Sequence, residues 1–274
     1  MSTEGRNPRS FGLDRMSAQE IVRLMNEEEQ AVHRAMQHAE SGLAQAAEKV
    51  AEAFRSGHRT IYVGAGTSGR IATMDAAEMP PTFGIEADRF VALHAGGATA
   101  NTKAIEDAED SDTQAIHDLN SLDPQRGDVL IGLAASGRTP YVLSAIRHAN
   151  QKGIFTVGIA NNKNSALLHE ADLGILLETG PEVLTGSTRL KAGTAQKLAL
   201  NRISTTAMVL AGKVIENLMV DVKAKNHKLK ERCVRIVREL STATEDEARD
   251  ALEQHHWNVR EVLAALRASS VADR

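Results

Sequence analysis

The stretch Thr60-Ile-Tyr-Val-Gly-Ala-Gly-Thr-Ser-Gly-Arg70 decides the fold. Its first four residues form a short β-rich run. Glycines and hydroxyls follow, and then a segment of helical character. Four later runs share this form: Arg89-Phe-Val-Ala-Leu93 before Gly96-Gly97, Asp128-Val-Leu-Ile-Gly-Leu-Ala134 before Ala-Ser-Gly-Arg138, Ile154-Phe-Thr-Val-Gly-Ile159 before Asn161-Asn162, and Leu173-Gly-Ile-Leu-Leu177 before Thr179-Gly-Pro181. Short, nearly continuous apolar runs alternating with helix-length segments indicate a parallel sheet covered on both faces. The expected fold is therefore α/β, a doubly wound five-stranded parallel sheet, with ligands at the carboxyl ends of its strands.

Working outward, Ser17-Ala-Gln-Glu20 has the spacing of a capping box and should open a helix. A longer helix is expected through Phe54, because Val32, Met36, Ala39, Leu43, Ala46, Val50 and Phe54 fall on one stripe. Beyond Arg189 helices are expected over 190–212 and 216–240, and Thr244-Glu-Asp-Glu247 is a second capping box before a helical pair. Asn258-Val-Arg-Glu-Val-Leu263 resembles the end of a small ubiquitin-associated-like three-helix unit. The chain is thus expected to divide into an N-terminal helical segment (1–56), the α/β domain with its helices (57–240) and a small helical appendage (241–274).

Bulk chemistry narrows the function classes. The 274 residues are 42% hydrophobic and 25% charged but only 3% aromatic, so the core must be filled by Ala, Val, Ile and Leu. A net charge of -4 and the lack of any Lys/Arg block argue against a nucleic-acid surface. A lone cysteine, Cys233, cannot form an intramolecular disulfide, which fits a reducing compartment. Neither a thiolate cluster nor an HExxH spacing is present, so no metal is expected. The N-terminus has no apolar h-region and no run of ~18 apolar residues occurs. These features suggest a cytoplasmic protein without a membrane span.

Chemistry concentrates in three loops. Gly66, Thr67, Ser68 and Gly69 follow the first strand. Glycines there let backbone amides approach an anion at a helix start, and the hydroxyls add donors. Ser136, Gly137, Arg138 and Thr139 repeat the pattern after a second strand, with Pro140 at an expected helix start. Two Ser-Gly-Arg turns in one chain point to a single phosphorylated sugar held between them. Thr185-Gly-Ser-Thr-Arg-Leu-Lys191 is a third polar cluster, with Arg189 and Lys191 as cations. The first loop lacks the Gly-Lys-Ser/Thr of a nucleotide P-loop, and no acidic residue closes the second strand as a dinucleotide site requires. Carboxylates come in two groups. Asp75-Ala-Ala-Glu78 runs into Met79-Pro80-Pro81, where the prolines are expected to end the helix. Glu106 and Glu109 are spaced i, i+3 on an expected helix.

These motifs, together with Thr3-Glu-Gly-Arg-Asn-Pro8, Leu13-Asp-Arg-Met-Ser17, Asp75-Ala-Ala-Glu-Met-Pro-Pro-Thr-Phe-Gly84, Ala108-Glu-Asp110, Gly180-Pro-Glu-Val-Leu-Thr-Gly-Ser-Thr-Arg-Leu-Lys-Ala-Gly-Thr-Ala-Gln-Lys197 and Asn217-Leu-Met-Val-Asp-Val222, closely resemble the N-acetylmuramic acid 6-phosphate etherases, in order along nearly the whole chain. The resemblance implies a sugar-isomerase (SIS) domain, a homodimer and no cofactor. It implies cleavage of the C3 D-lactyl ether of N-acetylmuramic acid 6-phosphate by elimination and then hydration. Glu78 corresponds to the family's general acid and Glu109 to its second catalytic carboxylate. The resemblance also marks Glu182, Ser187 and Lys191 as substrate-binding positions beside the two loops. The alternatives are a sugar-phosphate isomerase on the same fold, which would shift a proton without expelling a group from C3, and a non-catalytic sugar-phosphate-sensing regulator.

Overall fold

The computed structural model describes residues 3–103, 105, 107–224 and 226–272. The N-terminal helices are α1 (Ala18–Glu28), α2 (Gln30–His38) and α3 (Glu40–Arg55). The Ser17–Glu20 capping box opens α1 as expected, with the Ser17 hydroxyl accepting from Glu20 N and the Glu20 carboxylate accepting from Ser17 N. The single long helix expected through Phe54 is instead two, separated at Ala39. That residue stays in right-handed helical space, so the apolar stripe continues across the break and Val32, Met36, Leu43, Ala46 and Val50 are all buried.

Then follow β1 (Thr60–Gly64), α4 (Gly66–Phe83), β2 (Phe90–His94), α5 (Asp112–Ser121), β3 (Val129–Ala134), α6 (Pro140–Gln151), β4 (Phe155–Ala160), α7 (Ala166–Glu170), β5 (Leu173–Leu176) and α8 (Lys191–Leu210). The strands form one parallel sheet in the order β2-β1-β3-β4-β5. Ile61 pairs with Leu130 and Tyr62 with Ile131. Since side chains alternate along a strand, these pairs face opposite ways. Ile61, Val63 and Leu130 join Leu119 of α5 and Tyr141, Val142 and Ile146 of α6 in one core. On the other face α3 packs on β1, β3 and β5, and the Tyr62 hydroxyl reaches Asp75 of α4. The sheet is therefore doubly wound, and β1 and β3 are the adjacent strands at which the winding reverses.

Two compact units are present: 3–77 with 88–207, and 78–87 with 208–272. The second holds α9 (His227–Leu240), α10 (Glu245–Gln254) and α11 (Val259–Ala272) around Cys233, Val234, Val237, Leu252, Val262 and Leu263. The Thr244–Glu247 capping box opens α10 as expected. The helix expected from residue 216 begins only at His227, because Asn226 is its N-cap and accepts from Leu229 N.

Pro80 and Pro81 do not end α4 but lie inside it. Met79 and Phe83 on either side are buried, and this packing outweighs the local preference against a helix before proline. Gly84 makes the real stop. Its amide donates to Pro80 O at 2.9 Å and its φ is +65°, the left-handed conformation of a helix C-cap. The expected helix over Glu106 and Glu109 is absent as such. Glu106 lies outside the described residues, Glu109 sits in a short 3-10 turn at Ala108–Asp110, and α5 starts only after Ser111, its N-cap.

Candidate functional site

The first loop is tighter than the sequence suggests, because α4 begins at Gly66 and places Gly66, Thr67, Ser68 and Gly69 in its opening turn. The first amides of a helix have no intrahelical acceptor, a geometry that suits an anion. Its members differ in what they have to spare. Gly69 N already donates to Ala65 O. The Ser68 hydroxyl donates its one proton to Gln196 Oε1 at 2.7 Å. Gln196 passes the chain on to Asn161 Oδ1 at 3.1 Å, and Asn161 Nδ2 donates to Leu177 O at 2.8 Å. Thr67 is half-buried and Gly66 is exposed. Gly69 has a packing role of its own, since a Cβ there would lie 2.2 Å from the His94 ring at the end of β2.

The second loop leaves β3, the neighbour of β1, so both loops emerge at the carboxyl edge where the winding of the sheet reverses. In open α/β sheets that is where ligands bind. Pro140 takes the first position of α6, as expected. Gly137 is fixed by its amide to Ala134 O at 2.9 Å and by its carbonyl accepting from Leu167 N at 3.0 Å. Ser136 Oγ accepts from Arg138 N at 3.2 Å. The Arg138 side chain is exposed, and Ser136 and Thr139 are half-buried.

The third cluster has an architectural side. Glu182 is fully buried, and its carboxylate accepts from Lys191 N at 3.1 Å and Ala192 N at 2.9 Å, capping α8. Burial raises its pKa above the ordinary glutamate value, only partly offset by those two amides. Lys191 is buried too, with Nζ 2.6 Å from Glu28 Oε2. Glu28 also accepts from Asn7 Nδ2 at 2.7 Å and Arg9 at 3.0 Å. Burial would push its pKa up, but the bonds from Lys191, Asn7 and Arg9 prevail and hold it below the usual carboxylate range. Ser187 is half-buried, its amide donating to Leu184 O at 3.0 Å. Thr3 lies at the same edge of the sheet, where it and Asn162 exchange two hydrogen bonds.

The two loops, Glu182, Ser187, Lys191 and Glu109 all belong to the first unit. Glu109 is exposed in its 3-10 turn. Glu78 is exposed on α4, in the part of that helix counted with the second unit. Asp75, one turn before it, is buried and accepts from Tyr62, Asn201 and Ser204, at 3.0, 2.8 and 3.3 Å. Burial lifts its pKa despite those donors.

Sequence reasoning missed His94, Asn101, Gln196, Asn161 and Glu28. Two signals were available. His94 directly follows the second apolar run, at a carboxyl strand end, and Gln196 stands in one of the quoted motifs. Glu28 carried none, because its partner Lys191 lies on a distant helix. Among the described residues no helix is long and apolar enough to cross a membrane.

Residues 107–203 match the SIS domain, 42–150 the glucokinase regulatory protein N-terminal SIS domain, and 216–274 the C-terminal lid domain of glucokinase regulatory protein. Among solved structures, a phosphoheptose isomerase from Francisella tularensis superposes with a TM-score of 0.55 at 18% identity, covering 70% of this chain and 98% of its own, which shows a shared fold. The N-acetylmuramic acid 6-phosphate etherase of Serratia proteamaculans (strain 568) is 48% identical over 97% of this chain and 90% of its own length. That of Geobacillus sp. (strain WCH70) is 47% identical with the same coverage. At such identity across almost its whole length, the chain belongs to the N-acetylmuramic acid 6-phosphate etherase family.

Proposed function

We propose that the chain is a carbon-oxygen lyase that cleaves the C3 D-lactyl ether of N-acetylmuramic acid 6-phosphate, yielding N-acetylglucosamine 6-phosphate and D-lactate. The observation that carries this reading is 47–48% identity to etherases over 97% of the chain, joined to paired Ser-Gly-Arg loops at adjacent strand ends. In this reading the opening turn of α4 and the loop Ser136–Thr139 grip the phosphate, because helix-start amides and neighbouring hydroxyls such as that of Thr67 suit a dianion. Glu182 and Lys191 shape the wall that Ser187 completes.

The chemistry begins on the open-chain aldehyde. A carboxylate removes the C2 proton, the electron pair forms a C2–C3 double bond, and the lactyl oxygen leaves C3 as an acid protonates it. Water then adds across the double bond, its oxygen to C3 and a proton to C2. The net reaction is hydrolysis of an ether and needs only proton transfers, which paired carboxylates can supply. Glu78 takes the role of general acid and then activates the incoming water. Glu109 is the second carboxylate. The working form is a cytoplasmic homodimer taking part in amino-sugar catabolism and cell-wall recycling. Within each chain, 57–240 binds the sugar, 1–56 is an N-terminal helical segment and 241–274 a small helical appendage.

The test is direct. The purified protein is incubated with N-acetylmuramic acid 6-phosphate and D-lactate is assayed. Release is expected, and none from an intact, folded protein would reject the lyase. Glu78→Ala should lose turnover while still binding N-acetylglucosamine 6-phosphate. Near-normal turnover in that variant would move the acid elsewhere. Conversion of a sugar phosphate between aldose and ketose without lactate release would favour the isomerase.

A further inference from the structure

The segment joining β2 to α5 carries Glu109, and among its described residues the regular structure is limited to short 3-10 turns at Ala98–Asn101 and Ala108–Asp110. Such a stretch has no ladder to hold it, and ordering it costs conformational entropy. Two ties, from Arg70 and from His94 packed against Gly69, fasten its first half near the start of α4. Arg70 donates from Nε to Asn101 O and from a terminal nitrogen to Lys103 O, both at 3.3 Å. His94 Nδ1 lies 2.8 Å from Asn101 Oδ1. His94 is 5% exposed, its ring is wedged against Gly69, and its Nε2 finds no hydrogen-bond partner among the described residues. An imidazole buried at that cost, in that place, links the α4 turn to the Asn101 side chain. The second half is anchored elsewhere: Ala108 packs against the core shared with α6, and Ser144 of α6 donates to Asp112 O at 2.8 Å. Glu109 thus lies in the half anchored on α6, a few residues beyond the half that Arg70 ties to α4.

We propose that Arg70 and His94 are positioning residues that clamp residues 98–103 to the start of α4, so that the chain leading on to Glu109 begins in fixed register with the phosphate bound there. The arginines of the two Ser-Gly-Arg turns then do different work. Arg138 is exposed, while Arg70 spends its guanidinium on two carbonyls of the chain. The proposal rests on the etherase reading and on Glu109 as an acting carboxylate.

Arg70→Lys and Asn101→Ala test it. Lysine keeps the charge but cannot span two carbonyls with a planar fork. Alanine at 101 removes the partner of His94 and leaves the carbonyl that Arg70 uses. For both variants kcat for lactate release is expected to fall ~10–100-fold, the scale of a misplaced catalytic group. KM and the affinity for N-acetylglucosamine 6-phosphate should change less than about twofold. Amide hydrogen exchange over 98–103 should quicken. A loss confined to KM would make Arg70 a phosphate ligand and overturn the clamp, as would unchanged exchange. Quickened exchange with normal kcat would overturn the link to Glu109. Wild type and Glu109→Gln are measured alongside. Absence of lactate from wild type rejects the etherase reading itself, and an active Glu109→Gln rejects the role of Glu109, while the exchange data still decide the clamp.

Discussion

At the scale of single residues, contacts that no spacing rule encodes set the roles. Gly69 reads in the sequence as one of several glycines offered to an anion. In the structure its amide is already bonded and its missing side chain makes room for His94. Gly69→Ala should therefore destabilise the protein by roughly 1–3 kcal/mol, an overpacking cost, measurable as a lower urea midpoint. If the midpoint did not move, the fit of His94 against α4 would be looser than described. Asp75 offers a pH signature. Its folded pKa is raised, so over the range from the ordinary aspartate value up to the raised one the native state binds more protons than the unfolded state. Stability from this group is greatest at the acid end and declines as pH rises through that window. Asp75→Asn lacks the decline. Its stability relative to wild type should improve as pH rises from acid toward neutral, and a difference that stayed flat would count against a buried, proton-holding Asp75. The catalytic candidates Glu78 and Glu109 were legible as residue types in a motif. The partners of Gly69, Ser68 and Lys191 were not, since each lies on an element far along the chain.

At the scale of elements, strand runs and capping boxes were readable because they are local. A β-rich run is bounded by its own glycines, and a hydroxyl with a carboxylate three residues on satisfies amides within its own turn. Misreadings came where packing outbid local preference. The two prolines in α4 are tolerated because buried neighbours hold the helix, and Gly84 ends it. A Cβ on Gly84 would lie 1.9 Å from Asp221 O, within the same unit, and alanine would also be forced to φ +65°. Gly84→Ala should cost roughly 2–5 kcal/mol, the left-handed backbone penalty added to overpacking. The check is the unfolding transition of the unit containing α9 to α11, followed through Trp257. An unshifted transition would return the helix stop to the prolines. The segment between β2 and α5 shows the opposite error, where i, i+3 acidic spacing mimicked a helix that the positive φ of Asp107 interrupts.

At the scale of the whole molecule, the substrate class has a thermodynamic consequence. A ligand that binds only the native state stabilises it, by about 2.7 kcal/mol at a hundredfold excess over Kd. N-acetylglucosamine 6-phosphate should raise Tm in a concentration-dependent way, and N-acetylglucosamine without phosphate should not. Equal shifts from both sugars would remove the phosphate from its place as the main handle. The sequence by itself determined the fold class, the order of five parallel strands along the chain, the two Ser-Gly-Arg loops and the family, because apolar period, turn residues and motif order are properties of neighbouring positions. Only the tertiary structure decided that those loops leave adjacent strands, that Glu182 and Lys191 are tied to α8 and to Glu28, and that Arg70 grips the segment bearing Glu109. Those facts depend on which distant residues the sheet order brings together, and pairing across the fold is set by burial and hydrogen-bond satisfaction summed over the whole chain.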